Sequence, residues 1–305
     1  MSFEADMLVD RRRLKRRLSL WRGAAVLALI GLIVLLAGGP RALSGRDHIA
    51  RFNVDGVILE DEKRDELLDK LADDDSVKAL VVRIDSPGGT VVGGETLYQS
   101  LRAVSARKPV VVVMGTTATS AGYMVALGGD FILAREGTVT GSIGIILQSA
   151  DVTGLLKKLG IDMEAIKSAP LKATPSPFEP LTPEAREAAK VVIMDMFDMF
   201  VTLVAERRNM PRAQVLPLAD GRIFTGRQAR EANLVDAIGG ENEALAWLET
   251  ERGVARGLPI REIKVRQDDE LLSGAVAALT GKTKLIERLT LDGLVSLWHF
   301  DAGRP

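Results

Sequence analysis

The chain has 305 residues, 47% of them hydrophobic, and a formal net charge of -1, which is enough apolar material for a sizeable core and perhaps two domains. A balance so close to neutral carries no electrostatic footprint for nucleic acid. With no cysteine, a thiol protease and a cysteine-ligated zinc site are excluded, and the only histidines, His48 and His299, lie near opposite ends, away from any motif that would suit a histidine-based triad.

In chain order, residues 1–22 form a basic tail, "DRRRLKRRLSLWR" closing it, and the apolar run Gly23 to Pro40 follows without a charge. At about 1.5 Å per residue its 18 residues nearly cross a bilayer core of about 30 Å, with help from Leu18 to Trp21. The basic side predicts an N-terminus in the cytoplasm and everything after Arg41 across the membrane, with lipid contacted through this single-pass anchor. A cleaved leader is the competing reading, with Ala42 and Ser44 as small-residue positions. The run is longer than the usual leader core of about 7–15 residues, which favours an uncleaved anchor.

Residues 41–47 read as a linker, 48–264 as the main domain and 265–305 as a tail whose "SLWHF" suggests an amphipathic end. "HIARFNVDGVIL" alternates as a strand does, "DEKRDELLDKLADDDSV" carries leucines at helical spacing, and "KALVVRID" is a buried strand ending at "SPGG". A helix over "GGETLYQSLRAVSAR" and a buried strand over "KPVVVVMG" continue the alternation, so an α/β core with a largely parallel sheet is predicted. Next come a helix at "SAGYMVALGG", two short strands within "DFILAREGTVTGSIGIIL", and a helix and a strand within 151–167. Proline-rich "KSAPLKATPSPFEPLTP" is a loop or extended arm. Thr182 then caps a long helix with Pro183 in its first turn, and "DGRIFTGRQAREANLVDAIGG" forms a compact module before a last helix.

Ser120 sits among small residues directly after an apolar strand, and the question is what takes its proton. A hydrolytic serine needs a base and donors for the oxyanion. Gly88 and Gly89, between strand and helix, can aim backbone amides at a substrate, and the amide of Ala121 at a helix start can face the same point. "SPGG" alone equally fits a plain tight turn.

"RIDSPGGTVVGGE", followed about thirty residues later by "TSAGYMVALGGD" and then "TVTGSIGI", closely resembles the bacterial signal peptide peptidases of the SppA type. The resemblance runs through "DGRIFTGRQAREANLVDAIGG", roughly residues 49–253, and includes the N-terminal anchor. It implies a Clp-protease/crotonase-like fold and a serine endopeptidase with a Ser-Lys dyad. Ser120 is then the nucleophile, Lys172 the general base with Lys167 its competitor, and Ser142 the residue that holds the lysine amine. It also implies hydrophobic peptides such as cleaved signal peptides as substrates, and a homo-oligomeric ring, octameric for a chain with one copy of the motifs. No cofactor or metal is expected. Two departures bear on substrate preference and on the lysine assignment: Ala121 stands where the family commonly has glycine, and Leu171 and Ala173 flank the lysine where it has an aromatic and an acidic or hydroxyl residue. An amine with a pKa near about 10.4 accepts no proton at neutral pH unless burial lowers that value, so Lys172 must be desolvated when it acts. The rivals are a membrane protease that processes stomatin-like or other membrane proteins, an acyl-CoA hydratase or isomerase, and a catalytically silent scaffold.

Overall fold

The computed structural model of the chain describes residues 20–29 and 47–264, and for residues 294–297 the backbone alone. Two compact units result, Met1–Asp47 and His48–Pro305. In the first, residues 20–29 are helical, with Leu20, Trp21, Leu27 and Leu29 exposed. Among the described residues no helix is long and apolar enough to cross a membrane; positions 30–40 of the predicted anchor lie outside them.

The second unit is built on a mixed sheet whose parallel centre follows the predicted strand-helix alternation. Strand β1 (His48–Ile58) leads to helix α1 (Glu62–Asp73), strand β2 (Val77–Thr90) to α2 (Val91–Ser105), and β3 (Val110–Thr119) to the short α3 (Ala121–Ala126). Then follow β4 (Phe131–Ala134), β5 (Val139–Gly141), β6 (Ile146–Leu147), α4 (Thr153–Lys158), the long α5 (Pro183–Arg207) and α6 (Arg212–Val215). The unit closes with β7 (Ile223–Thr225), α7 (Gly226–Glu231), β8 (Ala237–Ile238), α8 (Glu241–Arg252), β9 (Ile260–Ile263) and β10 (Leu294–Leu297). Strands β9, β1, β2, β3, β4 and β8 pair in parallel in that spatial order. The first part of β3 pairs with β4 and its last part with β5, which β7 flanks in antiparallel.

Successive side chains of a strand face opposite sides, and the core divides accordingly. Ala50, Phe52, Leu80, Val82, Ile84, Val112 and Met114 pack beneath α1, α2, α3 and α5, together with Leu68, Leu97, Tyr123 and Phe200. Ile49, Ala79, Val81, Val111, Val113 and Leu133 face the other way, against Ala244 and Leu248 of α8. A sheet covered on both faces explains the nearly continuous valine runs of β2 and β3; full burial of each such side chain contributes about 1.5–3 kcal/mol.

The predicted start of α5 is present: the Thr182 side chain accepts from Ala185 N at 3.2 Å, and Pro183 occupies the first turn. Its far end is tied to the core by Arg207, which donates to the carbonyls of Leu127 and Gly129 at 2.8 and 2.9 Å. Two expectations need correction. "DFILAREGTVTGSIGIIL" holds three short strands, not two, because β5 and β6 are separated at Ser142–Ile145. No strand forms over 161–167, where Ile166 is 98% exposed: alternating apolar residues there find no ladder to join.

Candidate active site

Strand β3 brings Ser120 to the end of the parallel ladder, where the chain turns sharply into α3. Ser120 has φ 56° and ψ -120°, a region sparsely populated by non-glycine residues that costs about 1–3 kcal/mol to hold. Two main-chain bonds fix it there: its N–H donates to Gly141 O at 2.8 Å, and its carbonyl accepts from Met124 N at 2.9 Å. The residue is 1% exposed, and its side chain does not cap α3. Ala121, fully buried, begins the helix, so its amide belongs to a first turn whose N–H groups have no intrahelical acceptor.

The last register pair of β3 and β5 is Thr119 with Gly141, which makes Ser120 and Ser142 the next residues on adjacent strands. Ser142 is also at positive φ, 51°, and its N–H donates to Arg222 O at 2.8 Å. Arg222 in turn is clamped by the Asp220 carboxylate, both of whose oxygens accept from Nε at 2.8 Å. That guanidinium, by its hydrogen bonds, pulls the Asp220 carboxyl down to about 2. Both serines are therefore held at positive φ by main-chain bonds, Ser120 to Gly141 and Ser142 to Arg222.

On the other side lies the glycine loop at the end of β2. Thr119 Oγ1 donates to Pro87 O at 3.0 Å, tying the strand of the serine to that loop. Gly88 has φ 119°, open to glycine only, and a Cβ on Gly89 would fall 1.8 Å from Ile58 O, so the loop backbone packs directly on β1. The Gly88 amide is already engaged by Ser86 Oγ at 3.1 Å. Ser86 and Thr119, both fully buried, were not singled out from the sequence; a hydroxyl on each side of the glycine-serine pairing is the only local signal they carry. Asp85 and Asp130 brace the frame: Asp85 accepts from Thr117 N at 3.1 Å, and Asp130 accepts from Val110 N at 2.9 Å.

Register and hydrogen bonds thus bring Ser120, Ala121 and Ser142 to one end of the sheet and tie Thr119 to the loop that carries Gly88 and Gly89, while Lys167 and Lys172 lie in the irregular segment between α4 and α5. Lys172 lies on the irregular arm between α4 and α5, exposed, beside Ala173 at φ 59°. Among the described residues no hydrogen bond or ion pair engages its amine. Lys167 is committed elsewhere, its amine 2.5 Å from the Glu179 carboxylate. Next to Lys172 the arm encloses a mainly apolar cavity of about 250 Å³ lined by Pro170, Leu171, Pro175, Leu181 and Ala185. A cavity of about 560 Å³ between β1, the start of α1 and β9 is lined by none of the residues considered for catalysis. Among the described residues no cluster of three or more His, Asp or Glu side chains could hold a metal.

Comparison with known proteins follows this geometry. Residues 102–255 match peptidase family S49. A Synechocystis protein provisionally named a protease is 40% identical over 216 residues, 70% of this chain and 78% of that one. An Enterococcus faecium protein provisionally named signal peptide peptidase SppA is 37% identical over 186 residues, 61% of this chain and 54% of its own length. Among solved structures, a membrane-bound stomatin-specific protease overlaps 72% of this chain and 98% of its own, at 14% identity and a TM-score of 0.47.

Proposed function

The chain belongs to peptidase family S49, serine-type proteases whose members include proteins named SppA, and from that premise we propose a membrane-anchored endopeptidase with a Ser-Lys dyad. Ser120 is the nucleophile. The observation that carries this reading is its backbone: a buried serine at φ 56° between a strand and a helix start is a costly conformation, and such costs persist where the surroundings over-determine them.

In the proposed reaction Ser120 Oγ attacks the peptide carbonyl while its proton passes to the neutral amine of Lys172. The C–O bond to serine forms as the carbonyl π pair moves to oxygen, and that oxyanion meets the amides of Gly89 and Ala121. Gly88, also considered from the sequence, spends its amide on Ser86 and shapes the loop. Collapse expels the amine, protonated by Lys172, and water then resolves the acyl-enzyme. Ser142, one residue past the ladder pair Thr119–Gly141, holds the lysine amine in this reading, which its nearness in register to Ser120 supports.

Lys172 is preferred over Lys167 because the latter is engaged by Glu179. Its exposure in a single chain supports the further reading that a neighbouring subunit covers it, within a homo-oligomeric ring of Clp-protease/crotonase-like design, octameric by resemblance. Substrates are read as cleaved signal peptides and other hydrophobic peptides at the membrane, reached by a domain on the outer side of the bacterial cell membrane and tethered through residues 23–40. In domain terms, 1–22 is cytoplasmic tail, 41–47 linker, 48–264 protease and 265–305 tail.

A fluorophosphonate probe should label the wild-type chain and leave Ser120→Ala unlabelled; equal labelling of the two removes the nucleophile. Lys172→Ala should lower kcat by about 10²–10⁴-fold, the usual weight of a general base, while Lys167→Ala keeps most activity. The reverse order would reassign the base.

A further inference from the structure

Helix α3 sets the direction of two groups in the proposed reaction, yet it is too short to hold itself. Its six residues, Ala121–Ala126, make fewer than two turns, a length at which an isolated helix has no stability of its own. Ser120 precedes it at positive φ and the Ala121 amide opens it. What fixes α3 must therefore lie outside it.

Toward the glycine loop, a Cβ on Gly122 would stand 3.1 Å from Ser86 O, so the first turn lies about as close to β2 as a glycine permits. In the same turn Tyr123, fully buried, donates its hydroxyl to Leu234 O at 2.9 Å. Burial pushes the phenol above its ordinary value, which keeps it an O–H donor at neutral pH. The acceptor is itself anchored: Asn233 O beside it accepts from Arg208 at 2.7 Å, and Asp236 accepts from Ile132 N of the sheet at 2.7 Å. Arg207 adds ties at Leu127 O and Gly129 O, but past the last residue of α3.

The stretch that ends at Leu234 begins, at Arg222, with the carbonyl that accepts from Ser142 N at 2.8 Å, and its strand β7 pairs with β5 from Val139 to Gly141. One segment thus grips the strand leading to Ser142 at one end and the helix that follows Ser120 at the other. We infer that Tyr123 is a positioning residue: its hydroxyl fixes the first turn of α3 against residues 222–234, and through that turn sets the Ala121 amide and Ser120 relative to Ser142. The inference rests on the reading of Ser120 as nucleophile. It adds that losing the hydroxyl is felt in the chemical step and not in substrate binding, because a side chain with 0% exposure meets no substrate.

Tyr123→Phe keeps the ring and removes the hydroxyl alone. With a quenched fluorescent peptide of alanine and leucine residues, kcat should fall about tenfold, short of the roughly 10²-fold loss for a displacement of about 1 Å, while KM stays within about twofold. The rate of labelling by a fluorophosphonate, whose phosphoryl oxygen meets the same donors, should fall by the same factor. Leu248→Ala, in the core on the opposite face of the sheet, should lower thermal stability at least as much and keep kcat. Gly122→Ala presses on the same turn from the side of Ser86 O with the hydroxyl in place; it should repeat the kcat loss and decides the matter where Tyr123→Phe does not fold. Unchanged kcat in the deciding variant, a rise in KM as large as the fall in kcat, or an equal kcat loss in Leu248→Ala overturns the proposal. If Ser120→Ala still hydrolyses the peptide, the nucleophile reading falls and the positioning role with it. If Ser120→Ala is inert while Tyr123→Phe is fully active, the positioning role alone is lost.

Discussion

At the scale of single residues the site is a matter of two serines in backbone conformations they resist. Ser142 at φ 51° has no catalytic proton to give, yet its turn is fixed through Arg222 O and the Asp220 clamp. If its hydroxyl holds the base, Ser142→Ala should reduce kcat by about 10²-fold, the loss that a misplacement of about 1 Å produces, with KM little changed. A parallel fall in thermal stability would point to a merely structural role. The clamp makes its own prediction. Asp220, ordinarily near 3.8, titrates at about 2 because Arg222 hydrogen-bonds its carboxylate, so its contribution is present above the ordinary value and is lost as pH falls through about 2. Arg222→Ala should return that carboxyl toward its ordinary value, as read by NMR titration. Ser120 and the glycines were legible in the sequence because small residues after a buried strand are a local pattern. Ser142 came in through the resemblance alone, and the register that ends with Thr119 opposite Gly141 is something no local pattern encodes.

At the scale of elements, the strands and helices of the centre follow from period and flanking signals: valine runs for β2 and β3, leucines at helical spacing for α1, a Thr-Pro start for α5. The failures have one cause. Residues 161–167 alternate as a strand would, but alternation reports the spacing of apolar groups and not the existence of a partner edge. Strand β10 is the converse, a segment whose pattern suggested an amphipathic end and which finds two edges at once. What fixes α5 is likewise long-range: Arg208, 8% exposed, donates to Asn233 O at 2.7 Å and to both oxygens of Asp236 at 3.1 and 2.8 Å. The same Asp236 carboxylate accepts from Ile132 N at 2.7 Å, so helix, module and sheet share one anchor. Arg208→Ala leaves a carbonyl and a carboxylate without that partner and should cost about 2–4 kcal/mol in denaturant unfolding, somewhat under the value for a fully buried pair because Asp236 keeps some solvent. Arg208→Lys should recover only part of it, having no planar fork to meet two acceptors.

At the scale of the whole molecule the two halves of the proposed chemistry sit in opposite surroundings. Ser120 is enclosed, while Lys172 lies on an arm that also exposes Leu159, Met163, Leu171 and Phe178, preceded by α4 with Leu155 exposed and followed by α5, whose first half exposes Val191, Val192 and Met194. A general-base amine needs shelter from water, and large apolar side chains exposed in this number call for a cover. One event answers both problems: a neighbouring copy that covers the arm desolvates the lysine as it buries the patch. The arrangement predicts complementation. Chains with Ser120→Ala and chains with Lys172→Ala, each inactive alone, should regain activity when assembled together if serine and lysine come from adjacent subunits. Random mixing in equal amounts makes about a quarter of the sites whole, since each interface draws one partner from each side. Activity confined to the wild type would place both groups in one chain and require the arm to fold inward. Val191→Asp with Met194→Asp should separate the subunits in sedimentation and silence the enzyme, yet leave far-UV circular dichroism unchanged, because neither side chain packs in the core of its own chain.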